Sequence, residues 1–145
     1  MTSEFDLDRF LPYMLNQAAE AISRGFQERY RVEFDLSRTQ WRIIAHLGKF
    51  GSLTAKEICQ RSHEEKTTVS RAVAALEERG LLVRTADTFD RRSETLNLTA
   101  AGKSIFVELG TRATRFDLDL RKKLGKDASA ELENILRALA AADRL

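Results

Sequence analysis

LTAKEICQRSHEEKTTVSRAVAALEERGLLVRTADTFDRRSETLNLTAAG, residues 53–102, is the stretch of sequence that decides the fold. Its middle part carries apolar residues at helical spacing, Val69, Val73 and Leu76, and ends at Gly80, which suits the C-terminus of a helix. The segment after that glycine alternates apolar and polar residues on both sides of a polar tip, as the two strands of a β-hairpin do. We therefore predict a helix at about 64–79, strands at 81–85 and 94–98, and a further helix that begins after Thr99.

Two capping motifs precede the predicted helix at 64–79. Ser37 is followed three residues later by Gln40, and Thr54 by Glu57, and both pairs match the capping box that opens an α-helix. The first motif begins a helix that would end near Gly51, and the second begins a short one. A short capped helix, a turn and a Ser/Thr-rich helix in succession are typical of a helix-turn-helix, and the hairpin adds a wing.

Long amphipathic helices flank this region on both sides. The first runs from about residue 12 to 33 with Pro12 in its opening turn, and FDLDRF before it is expected to be an extended arm. Two more helices lie at the C-terminal side: one begins after Thr99, and the other covers about 128–142. Their apolar stripes are longer than the small core of the winged region can cover, which indicates packing against a second copy of the chain.

The predicted fold class is therefore mainly α with a small β-hairpin wing (α+β), a winged helix-turn-helix with a helical dimerisation lobe. Three segments are expected along the chain. Residues 1–33 form an N-terminal arm and a helix of the dimerisation lobe, residues 34–100 form the winged helix-turn-helix lobe, and residues 101–145 form the C-terminal helices of the dimerisation lobe.

Composition argues against several classes of protein. The 145 residues carry a net charge of +2, and residues 51–100 hold eight Lys and Arg against eight Asp and Glu. A DNA surface must therefore come from segregation of charge onto one face. The sequence has no signal peptide and no run of ~18 apolar residues, so no membrane partner is expected, and one cysteine without a disulfide partner suits the cytoplasm. Without a catalytic triad, a Gly-rich phosphate loop or a metal-ligand motif, we expect neither an enzyme nor a cofactor.

Polar residues of the helix at 64–79 and of the hairpin tip are the candidates for DNA contact. Small hydroxyl side chains on the first turns of a helix can bind base edges or phosphates in a major groove, and arginine can reach guanine or phosphate. A cationic tip can enter a minor groove. The alternative is a solvated helix face and a solvated turn. The candidates are Lys66, Thr67, Thr68, Ser70 and Arg71 on the helix, and Asp90, Arg91 and Arg92 at the tip, where Asp90 would hold Arg92 through an ion pair.

From Leu36 to Gly102 the sequence resembles the MarR family of bacterial transcription regulators. The segments that carry the resemblance are LSRTQWRIIAHLGKFGSLTAKEI, KTTVSRAVAALEERGLLVR and DRRSETLNLTAAG. The resemblance implies a homodimer that binds pseudo-palindromic promoters, usually represses, and in many members leaves the DNA when a phenolic or aromatic carboxylate ligand binds between the lobes. It also implies that the wing arginine, Arg92 after Asp90, enters the minor groove and that Thr67, Thr68, Ser70 and Arg71 belong to the recognition helix.

A ligand cleft between the two lobes is also predicted. Such sites have aromatic walls and one or two polar groups. In the alternative interpretation, Tyr13 and Trp41 only fill the hinge between the lobes, and Arg42 forms a salt bridge on the surface or between subunits. The candidate ligand-binding residues are Tyr13, Met14, Gln17, Trp41 and Arg42.

The cysteine and the histidines do not match the sensor branches of that family. Ile58 and Cys59 are expected on the buried side of the short helix, where cysteine acts as a small hydrophobe. The hydroperoxide-sensing branch instead uses a cysteine near the start of the first helix. His46 and His63 lie on different elements without the spacing of a zinc site, so no metal site is expected.

The sequence thus predicts a cytoplasmic, homodimeric transcription regulator that binds double-stranded DNA in a sequence-specific way and responds to a small aromatic effector. Two other functions remain open at this stage. One is an architectural DNA binder without sequence preference, and the other is a winged helix that binds another protein.

Overall fold

The computed structural model describes residues 4–86, 89 and 93–142. The chain divides into two compact units, Met1–Gly110 and Thr111–Leu145. The described residues form a 3-10 helix, six α-helices and three strands. These are the 3-10 helix Leu7–Arg9, then α1 (Leu11–Phe34), α2 (Arg38–Phe50), β1 (Leu53–Thr54), α3 (Ala55–Ser62), α4 (Lys66–Glu78), β2 (Leu82–Ala86), β3 (Glu94–Leu98), α5 (Ala100–Leu124) and α6 (Lys126–Ala141). The mainly helical fold with a small antiparallel sheet confirms the predicted class.

The segment before α1 corrects one prediction. FDLDRF was expected to be extended, but Leu7–Arg9 form a turn of 3-10 helix. Asp6 causes it, because its side chain accepts a hydrogen bond from the backbone N of Asp8 at 3.1 Å. This is the local bond by which aspartate favours helix starts over extended chain. Pro12 lies in the first turn of α1 as predicted.

Side-chain caps fix the starts of α2 and α3. Ser37 accepts from the backbone N of Gln40, and the Gln40 side chain accepts from the backbone N of Ser37, so the predicted capping box is complete. Thr54 accepts from the backbone N of Glu57 at 3.1 Å, but Glu57 accepts from the Thr54 hydroxyl rather than from its backbone. Each cap satisfies backbone donors that a helix start would otherwise leave open.

The sheet contains one strand that the sequence prediction missed. Its order is β1-β3-β2, and both pairings are antiparallel. Leu53 of β1 lies opposite Leu96 of β3, and Leu82 of β2 lies opposite Leu98 of β3. β3 is therefore the central strand, and both leucines of β3 are buried as predicted.

The core of the first unit lies where α2, α3 and α4 meet the sheet. Val69, Val73 and Leu76 of α4 are buried as predicted, and so is Ile58 of α3. Cys59, expected beside Ile58 on the buried side, is only half-buried. The other fully buried side chains are Leu36, Ile43, Ile44, Leu47, Leu82, Leu96 and Leu109.

In the second unit, an ion-pair cluster and a buried serine join α5 to α6. Arg121 of α5 bonds Asp117 at 2.8 Å and Glu133 of α6 at 2.7 Å, and Glu133 also accepts from Arg137 at 2.8 Å. Ser129 donates towards the carbonyl oxygens of Arg121 and Gly125 at 2.9 and 2.7 Å. The two arginines therefore concentrate positive charge on one glutamate.

Acid is expected to weaken this junction. The hydrogen bonds from Arg121 and then Arg137 lower the pKa of Glu133 to about 2 from 4.5. A carboxyl whose pKa is lower in the folded state contributes stability above its unfolded pKa, and this contribution is lost as the pH falls through the folded pKa. Between about pH 4.5 and 2, the melting temperature of the Glu133→Gln variant should therefore fall less than that of the wild type. Parallel curves, measured by circular dichroism at one protein concentration, would contradict this role of Glu133.

Candidate nucleic-acid interface

Helix α4 has one buried and one polar exposed face. Val69, Ala72, Val73 and Leu76 are buried against the core, which fixes the rotation of the helix about its own axis. The opposite face is exposed along the first two turns, so the residues predicted to contact DNA from this helix lie together at its N-terminal end. They are Lys66, Thr67, Thr68, Ser70 and Arg71.

None of these five side chains forms a hydrogen bond or an ion pair with another residue of the ranges 4–86, 89 and 93–142. Their donors and acceptors are therefore available to an external partner without first breaking a bond within those ranges. Hydroxyls both donate and accept, whereas the lysine and arginine only donate. This combination suits phosphate oxygens and base edges.

An arginine of the wing ties the hairpin to α4. Arg84 in β2 donates from Nε to Glu77 in α4 at 3.2 Å and from Nη1 to Glu94 in β3 at 3.5 Å. All three side chains are partly exposed, so each ion pair contributes little to the free energy of folding. Their effect is geometric, because one guanidinium holds both strands of the hairpin and the helix in one arrangement.

A second arginine, also at the C-terminal end of α4, attaches this helix to α1. Arg79 donates from Nη2 to the carbonyl oxygen of Phe34 at 2.8 Å and from Nη1 to that of Asp35 at 2.7 Å. These carbonyls lie at the C-terminus of α1, where Asp35 takes the left-handed conformation with φ of 52°. Helix α4 is therefore attached at its C-terminus to α1. Nothing in the sequence pattern indicated this contact.

Asp90, Arg91 and Arg92 lie outside the described residues. The strands on either side of them pair through Ala86 and Glu94. The proposed roles of the three residues therefore stay predictions.

The proposed ligand-binding residues are distributed over α1 and α2. Tyr13 is half-buried, and Met14 and Gln17 are exposed. Trp41 is half-buried, with its ring centroid 6.1 Å from that of Phe26. Within the described part of the chain, no hydrogen bond, ion pair or ring contact joins Tyr13, Met14 or Gln17 to Trp41 or Arg42.

Arg42 is part of a polar cluster beside α4. Its Nη1 atom lies 3.2 Å from Oε1 of Glu64, and the hydroxyl of Thr39 donates to the same oxygen at 3.2 Å. The other carboxylate oxygen of Glu64 is buried and has no hydrogen-bond partner among the described residues. Glu64 directly precedes Glu65, the N-cap of α4, so the cluster connects α2 to the start of that helix. Sequence analysis allowed a salt bridge for Arg42 but did not identify its partner.

No helix in the described ranges is long and apolar enough to cross a membrane. No group of three or more His, Cys, Asp or Glu side chains there is arranged to hold a metal ion.

Comparison with known proteins gives a consistent set of similarities. Residues 34–93 match the family model described as MarR family. The transcriptional regulator FarR of Neisseria gonorrhoeae is 28% identical over 87% of this chain and 86% of its own length. NadR, solved in complex with 4-hydroxyphenylacetate, aligns with a TM-score of 0.83 at 25% identity and covers 99% of this chain and 100% of its own. BpsR of Bordetella bronchiseptica, solved in a study of its regulation by 6-hydroxynicotinic acid, shares the fold with a TM-score of 0.85 at 20% identity, over 97% of this chain and 100% of its own.

Proposed function

Because the chain belongs to the MarR family of winged helix-turn-helix transcription regulators, we propose that it acts as a homodimeric repressor. It binds a pseudo-palindromic promoter sequence and leaves the DNA when a small aromatic or phenolic ligand binds. The recognition helix is α4, and the wing is the hairpin of β2 and β3. The proposed DNA contacts are Lys66, Thr67, Thr68, Ser70 and Arg71 of α4 and Asp90, Arg91 and Arg92 of the wing.

The polar face at the N-terminal end of α4 is the observation that carries this proposal. Its five side chains are exposed and make no bond to other described residues, while the opposite face is buried. Exposed polar side chains on the first turns of a helix are what a helix-turn-helix places in the major groove. Arg84 adds to this support, because it holds the hairpin against Glu77 of the same helix.

Exposed apolar side chains support the homodimer. Four large side chains of α6 are between 40% and 47% exposed. A helix that leaves such a row in water gains free energy when a second copy covers it, and two-fold dimers are the commonest arrangement of that kind. The four residues are Leu132, Ile135, Leu136 and Leu139.

Tyr13, Met14, Gln17, Trp41 and Arg42 are the proposed ligand-binding residues. NadR was solved with an aromatic carboxylate, 4-hydroxyphenylacetate. In this chain Arg42 already bonds Glu64 at 3.2 Å, so a ligand carboxylate would compete with Glu64 for the guanidinium. The ligand can release DNA only if it binds the two states of the protein with different affinities.

Fluorescence anisotropy tests the function as a whole. The intact protein is titrated with the DNA upstream of its own gene and with a scrambled duplex, each at two salt concentrations. We expect the upstream DNA to bind more tightly, and this preference should persist at the higher salt. Equal binding to both duplexes that is lost as salt rises would favour the architectural alternative, and no binding to either would favour a protein partner.

Substitution of Lys66 tests the phosphate contacts. Lys66→Ala should weaken binding by about three- to tenfold for upstream and scrambled DNA alike, because a lysine that contacts phosphate carries no sequence information. The slope of log K against log salt should fall by about one for each subunit of the dimer. Lys123→Ala, which removes the same charge from α5, is the control. An unchanged salt slope in Lys66→Ala would exclude this lysine from the interface.

A further inference from the structure

A surface cavity of about 450 Å³ lies between the C-terminal parts of α2 and α3. Helix α2 contributes His46, Lys49 and Phe50, and the end of α3 contributes Gln60, Arg61 and His63. Among the described residues that line it, none is acidic. The proposed effector residues Tyr13, Met14, Gln17, Trp41 and Arg42 do not line this cavity.

Cations surround an exposed aromatic ring in this cavity. The Phe50 side chain is 40% exposed. The guanidinium carbon of Arg61 lies 4.0 Å from its ring centroid, and Nζ of Lys49 lies 5.2 Å from it. A cation above an aromatic face is attracted by the ring but keeps its other hydrogen-bond donors. Positive charge is therefore held next to an apolar surface.

Histidine adds a directed hydrogen-bonding group. Nδ1 of His46 lies 2.6 Å from the carbonyl oxygen of Arg42. A carbonyl oxygen only accepts, so Nδ1 carries the proton in this bond, and Nε2 is the nitrogen left for a ligand. The charged side chains that line the cavity beside His46 are Lys49 on its own helix and Arg61 on α3.

We propose that this cavity is a binding site for a small organic anion, a carboxylate attached to an aromatic or other apolar group. The carboxylate lies beside the two cations, Lys49 and Arg61, the apolar group lies against Phe50, and the two histidines form part of the surrounding wall. The site is separate from the effector cleft proposed above, and it does not depend on that function.

Three properties of the cavity select this class of ligand. Its volume is within the range of small-molecule sites, about 300–1,000 Å³. Its charged side chains are all cationic, which favours an anion. Phe50 offers apolar contact that inorganic phosphate cannot use but an organic acid can. DNA phosphate is the other source of an anion here, because His63 lies only three residues before Lys66 at the start of α4.

The chain supplies its own spectroscopic reporters for this site. It has two histidines and one tryptophan. Both histidines line the cavity, and the tryptophan, Trp41, belongs to the proposed effector cleft. The Cε1–H resonances of the histidines therefore report on this cavity, and the indole N–H of Trp41 reports on the cleft. His63→Asn assigns the two histidine signals, since asparagine tolerates the positive φ of 55° at this position.

The experiment is a titration of the full chain, followed by NMR, with benzoate, with its neutral counterpart benzamide, and with inorganic phosphate at matched ionic strength. We expect benzoate to shift both histidine signals in a saturable way and to bind at least about fivefold more tightly than either of the other compounds. No shift with benzoate, or an equal response to benzamide or phosphate, would overturn the proposal. A shift of Trp41 alone would support the effector cleft and reject this site.

Charge variants and DNA complete the test. Arg61→Gln should weaken benzoate binding about fivefold or more, and Arg61→Lys should restore part of it, whereas Lys56→Gln on the same helix should have no effect. Equal affinities for all three variants would contradict a role for Arg61. A DNA duplex that shifts the histidine signals and displaces benzoate would assign the cavity to the DNA backbone instead.

Discussion

Gly102→Ala should lower the free energy of unfolding by about 3 kcal/mol or more, a value at the upper end of overpacking substitutions. A Cβ atom at this position would lie 2.1 Å from the carbonyl oxygen of Leu81, far inside van der Waals contact. That oxygen belongs to the backbone, so no side-chain rotation relieves the clash. The chain must move by more than an ångström, or the residue must leave the helix.

The surrounding hydrogen bonds make such a movement costly. The carbonyl oxygen of Leu81 accepts from the backbone N of Thr99 at 3.1 Å. The Thr99 side chain accepts from the backbone N of Gly102 at 3.1 Å and donates to the carbonyl oxygen of Gly80 at 2.6 Å. The clash would therefore separate the end of α4, the start of β2 and the start of α5. We expect a loss of DNA binding together with stability.

Gly110→Ala is the matched control, because it lies in the same helix and a Cβ atom there would meet nothing within 4 Å. Alanine is favoured over glycine inside a helix by about 1 kcal/mol, so this variant should be as stable as the wild type or more stable. Urea denaturation at one protein concentration measures both variants. If Gly102→Ala unfolds at the same urea concentration as Gly110→Ala, the close approach of α5 to Leu81 does not exist in solution.

Arg92→Ala should weaken promoter binding by well over tenfold, which corresponds to more than about 1.4 kcal/mol. The residue itself lies outside the described part of the chain, so the expectation rests on its position in the sequence. Strands β2 and β3 pair up to Ala86 and Glu94, and Arg84 holds this hairpin against α4. We expect the Arg92 guanidinium to enter a minor groove, where negative potential is greatest over A·T tracts.

Arg84→Ala provides the comparison for this variant. It removes the same charge from the same hairpin, but Arg84 is already bonded to Glu77 and Glu94. We expect a smaller loss of DNA affinity from Arg84→Ala than from Arg92→Ala. The dimerisation and the melting temperature of the Arg92→Ala variant should be the same as those of the wild type. Anisotropy measures the affinity and analytical ultracentrifugation measures the dimer. Wild-type affinity in Arg92→Ala would remove the wing from the proposed interface.

Local signals in the sequence were sufficient to predict the helices, the hairpin and the face of α4. The Ser37–Gln40 capping box is formed by residues three apart, so the start of α2 depends on little else. Val69, Val73 and Leu76 share one face of a helix by their spacing alone, and that face is buried. The position of the exposed DNA-binding candidates then followed from the position of the buried ones.

Contacts between distant residues could not be predicted in the same way. Strand β1 exists because Leu53 and Thr54 pair with Leu96 and Thr95, and two residues are too few to show a strand pattern. The partner of Arg42 is Glu64, but many carboxylates in the sequence would have been equally plausible. Which carboxylate pairs with Arg42 depends on how α2 packs beside the start of α4, and the spacing of residues in the sequence does not reveal that packing.

The pair of bonds from Arg79 to the end of α1 has a mechanical consequence. Both acceptors are backbone carbonyls, of Phe34 and Asp35, so the attachment does not depend on which side chains α1 carries there. When the last turn of α1 is displaced, Arg79 either follows it or loses two charge-assisted hydrogen bonds, which are about twice as strong as neutral ones. The last turn of α1 and the C-terminal end of α4 are thus coupled through backbone atoms, whatever side chains α1 carries there.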